Sequence, residues 1–271
     1  MVLYEYGTNG YWTGEKMLDH IVRIAILIFR YAFPPNFRAL FAFDNASNHR
    51  VMADNALIAS KMNRGPGGKQ PFMRDGHIKE KNYRIQPMVF SPDLDPEDPN
   101  YRHRGKQKGI EQVLKERDLF RTRRVDGFAF KLECKSGTCD PTLEGGCCMR
   151  MLLSIQNDFL AQTGRLEEEI KARGHFSSFY PKFHCELNFI ERYWCSVKHY
   201  ARNNCKYDLR GLRETIPHAL DSVSTASIHR YYMHCMHILD AYRDPTLRYG
   251  SQEFTERVYK GHRAVVDKTK Y

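Results

Sequence analysis

The chain is short of several things, and each shortage removes a class of protein. It has no apolar run near the roughly 20 residues that a helix needs to cross a bilayer. The richest stretch, Ile21 to Phe33, is interrupted by Arg23 and Arg30. The N-terminus carries no charged region followed by an apolar block and a small-residue cleavage site, so no secretory leader is expected. There is no internal repeat and no low-complexity block, which excludes solenoids and biased linkers. Eight cysteines in 271 residues, without a leader, read as reduced thiols or metal ligands rather than a disulfide framework. The compartment expected is cytosol or nucleus. Acids are also in short supply, 32 against 42 Lys and Arg, leaving a formal charge of +10. That excess favours an anionic partner such as nucleic acid, against the plain alternative of a soluble basic surface.

What is present is globular: 42% hydrophobic and 13% aromatic residues are enough to bury a core. Residues 1–12 read as a strand remnant with a turn at Asn9-Gly10. Thr13 can cap a following helix, with Glu15 in its first turn. Met17, Ile21, Ile24, Ala25, Ile28, Phe29 and Ala32 recur at helical spacing as far as Pro34-Pro35. Ala39 to Phe43 is a short apolar run, expected as a strand covered on both faces, and it ends at Asp44. Asp54 to Met62 reads as a short helix. His77 to Phe90 holds a strand pair, Gly109 to Leu119 a helix, and Phe128 to Leu132 another strand. Helical periodicity returns from Cys148 to Arg173, and Gly174 closes it. His175 to Tyr180 alternates like a strand, followed by helices over Leu187–Arg202, Leu209–Leu220 and Thr225–Tyr242, with one more at Ser251–His262. The expected organisation is a first core part at 1–63, an irregular insertion at 64–148, a second core part at 149–205 and C-terminal helices at 206–271.

Two acidic islands carry the chemistry. Asp44-Asn45-Ala46-Ser47-Asn48-His49 follows the first strand; alone, it is also an ordinary turn in which Asp44 caps a following amide. The second island follows Pro181: His184-Cys185-Glu186, then Leu187-Asn188-Phe189-Ile190-Glu191 and Trp194 on a helix. Glu191 shares a helical face with Leu187 and Trp194. An acid on that inward stripe is expected to be paired or bound to metal.

These two motifs resemble the mariner-like transposase catalytic domain, which carries Asp-Asn-Ala-x-x-His at its second acid and Asp-Leu-Asn-Pro-Ile-Glu-x-x-Trp at its third. The chain is more similar to fungal transposase-like proteins of the DDE endonuclease superfamily. That likeness runs over residues 7 to about 245 and includes Trp12-Thr13-Gly14-Glu15, residues 63–70, the cysteine segment and Asp240-Ala241-Tyr242. The resemblance implies an RNase H-like α/β fold, a mixed sheet flanked by helices. It also implies DNA cutting or strand transfer assisted by two Mg²⁺ or Mn²⁺ ions. Asp44 and Glu191 would each ligate a metal. Asn45, His49 and Asn188 would orient ligands or water, with Glu186 the runner-up for the third acid.

The chain departs from the pattern twice. Asp44 and Glu191 lie 147 positions apart (191 − 44), much of which falls in the 64–148 segment. The first acid has no counterpart either: Glu5, Glu15 and Asp19 are the only acids before Asp44, and none sits where that fold puts it. The expectation is therefore the C-terminal part of a catalytic domain, inactive alone and working in the nucleus, with no membrane partner and homo-oligomerisation left open.

Cys134, Cys139, Cys147 and Cys148 suit a structural Zn²⁺ site, with His184 or Cys185 as substitutes for one of the adjacent pair. Free thiols in a loop are the alternative. Cys195, Cys205 and Cys235 fall on helices and read as core. Arg102, Arg104 and Lys106, and Arg121, Arg123 and Arg124, form two basic clusters suited to DNA phosphates, or equally to solubility. The competing function class is a non-catalytic, zinc-stabilised module that binds DNA or protein.

Overall fold

The computed structural model describes residues 7, 10–135, 138–140, 142–248, 251–254 and 256. Most of residues 1–12 and of Ser251–His262 therefore lie outside the described residues. The chain is mixed α/β, with small sheets of two strands each. It divides into two units: Met1–Arg50 with Glu169–Tyr271, and the intervening Val51–Glu168. The middle unit is wider than the 64–148 segment delimited by composition.

In the first unit, helix α1 (Gly14–His20) starts at Thr13, whose Oγ1 accepts the Lys16 N–H at 3.3 Å. A π-helical turn (Ile21–Ala25) leads into α2 (Ile26–Ala32). Because the Ile26 N–H donates to the Ile21 carbonyl, five residues back, the inward face shifts by one position. Ile21 and Ile26 are buried, whereas Ile28, counted on the apolar stripe by regular spacing, is 62% exposed.

Strand β1 (Leu40–Phe43) pairs in parallel with β4 (Phe176–Phe179), in the register Leu40↔Phe176 to Phe43↔Phe179. The ladder is extended by Phe176 N–H to the Ala39 carbonyl at 2.9 Å and Tyr180 N–H to the Phe43 carbonyl at 2.8 Å. Just ahead of β4, His175 is buried and its Nδ1 accepts the Ala39 N–H at 3.2 Å. Burial first, then the nearby Arg30 and Arg38, hold its pKa below the usual imidazole range. Strand β1 is not covered on both faces as expected: Phe43 is buried and Phe41 half-buried, but Leu40 on the opposite face is 65% exposed. Alternation of this kind is that of a one-sided strand.

Three helices complete this unit: α7 (Phe189–Asn204), α8 (Leu209–Asp221) and α9 (Thr225–Arg243). Helices α8 and α9 are capped by Asp208 and Ser224, which accept the N–H groups of Gly211 and Ser227. Tyr193 on α7 donates to the Leu220 carbonyl of α8 at 3.1 Å, and Ser196 meets Tyr231 of α9 at 2.7 Å. Leu187, Ile238, Ala241 and Phe254 form the core beneath. Of the three cysteines expected in cores, only Cys235 is buried. Cys195 is exposed and Cys205 half-buried, because the solvent side of α7 carries the first and its C-cap the second.

The middle unit contains the antiparallel pair β2 (Gly76–Ile78) and β3 (Arg84–Gln86), as expected between His77 and Phe90. Its helices are α3 (Ile110–Glu116), α4 (Met149–Ser154) and α5 (Asn157–Leu160). Helix α6 (Arg165–Ala172) begins in this unit and leads to β4. The long periodicity expected from Cys148 to Arg173 is thus cut into three short helices. Ile110, Val113 and Leu114 are fully buried with Met62, Met88, Met149 and Leu153. Each such side chain contributes about 1.5–3 kcal/mol by leaving water.

Two expected elements are absent here. Residues 54–62 hold turns and a single 3₁₀ turn (Ala59–Lys61), not an α-helix. The Leu57 N–H goes to Gln162 Oε1 at 3.0 Å instead of to a helical carbonyl. Phe128–Leu132 forms no strand beyond a lone bridge between Arg123 and Ala129. The carbonyls of Lys131 and Leu132 instead accept the first free N–H groups of α4, Met149 and Arg150, at 3.0 and 3.1 Å.

Candidate functional site

Parallel pairing brings the carboxyl ends of β1 and β4 side by side, where α/β sheets commonly hold ligands. Asp44 leaves β1, and its Oδ1 accepts the Ala46 N–H at 3.0 Å and pairs with His49 Nδ1 at 2.7 Å. His49 stands on a 3₁₀ turn (Ser47–Arg50), its ring against Phe43 at 5.5 Å, and so orients the carboxylate from behind. Asn45 ties the two strand ends together, donating from Nδ2 to the Tyr180 carbonyl at 2.8 Å. Its Oδ1 is buried and has no hydrogen-bond partner.

After β4, Tyr180-Pro181 turns the chain, and Phe183 adopts a left-handed φ of 67°. A 3₁₀ turn (Cys185–Leu187) then delivers Asn188 to the N-cap of α7 and Glu191 to its first turn. A cleft of about 450 Å³ results, lined by Asp44, Asn45, Lys182, His184, Asn188 and Glu191 among others. Asn188 is buried. Glu191 is exposed, not inward as its helical stripe suggested. The stripe itself is half in solvent, with Ile190 at 37% and Trp194 at 41% exposure. Glu191 therefore needs no buried partner, and it faces the cleft instead.

Glu186 is engaged elsewhere. Its Oε1 accepts the Tyr242 hydroxyl at 2.6 Å and meets His184 Nδ1 at 2.8 Å. Burial raises its pKa, but the Tyr242 and His184 hydrogen bonds outweigh that and hold it below the usual carboxylate range. Lys182 and Tyr242 were not singled out for the site by sequence reasoning. The His184-x-Glu186 pair ahead of the helix was the available signal for a polar network, and Lys182 is the cation nearest it in sequence. Of the earlier acids, Asp19 pairs with Arg23 on the exposed face of α1, and Glu15 lies in its first turn. Glu5 falls outside the described residues.

The basic clusters divide. Arg102, Arg104, Lys106 and Arg123 are exposed. Arg102 Nε donates to His103 at 3.0 Å, and Arg104 stacks on Tyr101 at 4.4 Å. Burial, then Arg102 and Lys106, lowers the His103 pKa. Arg121 was expected on DNA but is built into the fold. It donates to the carbonyls of Gly145 and Gly146 and lies over Phe130 at 4.8 Å. Arg124 is likewise taken up by Asp126.

Cys134, Cys139, Cys147 and Cys148 converge, their four sulfurs all within 4.8 Å of one another, and could hold a metal such as zinc. The adjacent pair both take part, so neither His184 nor Cys185 is needed as a substitute. His184 is occupied by Glu186 and Tyr242, and Cys185 is exposed. Burial first, then the neighbouring thiols, pushes Cys134 up to about 12 and raises Cys139. Burial also acts against Cys147 ionising, yet donors from the Asp140 backbone and the other three thiols bring its pKa below the ordinary value.

No helix of the described residues is long and apolar enough to cross a membrane. Comparison with family models, curated proteins and solved structures finds no match.

Proposed function

We propose that the cleft at the ends of β1 and β4 is a metal-assisted site for DNA phosphodiester chemistry of the DDE type. The reading takes the strand pair and its helices as an RNase H-like core and the chain as transposon-derived. The observation that carries it is the meeting of Asp44 and Glu191, remote in sequence, in the lining of one cleft. Their carboxylates, with the unpartnered Asn45 Oδ1, form an oxygen donor set of the kind Mg²⁺ and Mn²⁺ take. A divalent cation held there would polarise a scissile phosphate and acidify an attacking water. His49 keeps the Asp44 carboxylate in one orientation, and Lys182 supplies a cation for a phosphate oxygen. The exposed side chains of Arg102, Arg104, Lys106 and Arg123 would meet the DNA backbone. A DNA partner puts the work of the protein in the nucleus.

Among the described lining residues only two are acids, whereas sites of this type use three. Strand cleavage by the chain alone is therefore expected to be slow or absent, and metal binding is the primary readout. Titration of Mn²⁺ followed by electron paramagnetic resonance should give binding to the native chain that weakens at least about tenfold in Asp44→Asn and in Glu191→Gln. Any Mn²⁺-dependent nicking should vanish in both variants. Binding and nicking that survive both substitutions would remove the assignment.

The thiol group favours a second reading, a non-catalytic module held by zinc that binds DNA or protein. DNA retention that needs no Mg²⁺ and is indifferent to Asp44→Asn selects that reading over the first.

A further inference from the structure

The segment that carries the four cysteines has almost no core of its own. Among the described residues of 133–145 none is buried, and burial resumes only at Gly146, Cys147 and Cys148. A stretch so poor in apolar contacts gains little from packing to offset its conformational entropy, and a metal would order it. All eight cysteines are free thiols, so no disulfide supplies it.

We infer that Cys134, Cys139, Cys147 and Cys148 bind one Zn²⁺ as a closed tetrathiolate, which clamps residues 134–147 onto the start of α4. This inference rests on the thiol group alone and is independent of the cleft chemistry proposed above.

The spacing selects a single-ion centre over a cluster. Tetrahedral zinc with bonds of about 2.3 Å to sulfur sets its ligands about 3.8 Å apart. Sulfurs already within 4.8 Å of one another need to contract only slightly around a single ion. An iron–sulfur cluster, with its own sulfides between the cysteines, needs a wider set. Four soft thiolates, enough to fill every position of a tetrahedral ion, match a structural Zn²⁺ site rather than a catalytic one, which keeps a position open.

The backbone is shaped for the same purpose. Gly145 and Gly146 take left-handed φ values of 69° and 78°. A Cβ on Gly146 would stand 3.2 Å from the Leu152 backbone, so this turn must be glycine to press Cys147-Cys148 against α4. Arg121 fastens the same turn through the Gly145 and Gly146 carbonyls. Cys134 is held from the other side, its Sγ 3.8 Å from the Cys147 carbonyl. Met149, Leu152 and Leu153 of α4 belong to the core of the middle unit, so the metal would tie the loop directly to that core.

The test uses the full chain, purified without chelator. Metal analysis should return one zinc per chain. Exchange for Co²⁺ should give the intense sulfur-to-metal absorption and visible bands of tetrahedral tetrathiolate cobalt. Cys139→Ser, at the most exposed ligand, should leave well under half of the zinc, whereas Cys195→Ser, on the exposed side of α7, should retain all of it. Chelation should lower the thermal midpoint and open residues 133–147 to protease. The native-chain measurements decide the matter even if Cys139→Ser fails to fold. The proposal is overturned by a chain that purifies with no metal or with a different one. It is equally overturned if the four thiols react with a thiol reagent as fast as Cys195, or if mass mapping finds them joined in disulfides.

Discussion

At the scale of single residues, the most consequential pair belongs to the middle unit. Arg117 and Asp158 meet through two hydrogen bonds, 2.9 and 2.7 Å, with side chains 2% and 7% exposed. Asp158 also accepts the His77 N–H at 2.9 Å, and Arg117 Nε donates to Gln86 at 2.7 Å. Removing one partner strands the other as a buried charge, so Asp158→Ala should cost on the order of 3–5 kcal/mol in urea unfolding. Replacing both by apolar residues of similar volume should cost far less. Burial raises the Asp158 pKa, but the Arg117 hydrogen bonds and charge bring it below the unfolded value of about 3.9. Its stabilisation is therefore complete above that unfolded value and is lost as pH falls through the folded one. Acid unfolding curves should show this loss in the native chain and lack it in Asp158→Ala. None of this pair was legible in the sequence, since 41 positions separate the partners. Glu191 illustrates the converse: its motif identified it, but helical spacing alone gave it the wrong environment. A stripe marks a face, and only neighbouring elements decide whether that face is covered.

At the scale of elements, local chemistry was readable wherever the chain satisfies itself locally. Thr13 caps α1 as its position suggests, and Asp208 does the same for α8 through the Gly211 N–H at 2.5 Å. Asp208→Ala should lower stability by about 1 kcal/mol, measured by denaturant midpoint at an unchanged slope. The long helices α7 to α9 and strand β4 were likewise legible from their periodicity, and β1 from its apolar run, although that run suggested burial on both faces. Reading failed where backbone groups find distant partners. The Lys131 and Leu132 carbonyls close the start of α4 rather than a strand ladder, and Leu57 N–H bonds a side chain 105 positions away. The π turn at Ile21–Ala25 is a subtler case: it slips the phase of an otherwise regular helix by one residue, which no count of apolar positions reports.

At the scale of the whole molecule, the charge of +10 governs association more than architecture. Affinity for duplex DNA, measured by fluorescence anisotropy, should fall linearly on a double-logarithmic plot against salt, with a slope near −0.9 per phosphate neutralised. A flat response would mean that the basic surface takes no part. The division into two units has a different kind of consequence. The Ala39–His175 contact, at the amino ends of the strands whose other ends form the cleft, joins residues 136 positions apart, a long loop for an unfolded chain to close. Yet the middle unit pins its own two ends, the Arg165 N–H donating to the Val51 carbonyl at 2.8 Å. Once that unit has folded, the path between the strands shrinks to roughly 22 positions, and the entropy of closure falls by about 1.6 kcal/mol. Closure entropy therefore favours a path in which the interrupting unit folds first, and pulsed hydrogen exchange during refolding should protect the amides of Ile110–Glu116 before those of β1 and β4. The same pinned ends mark where that unit could be exchanged for a short linker without stretching the strands it separates.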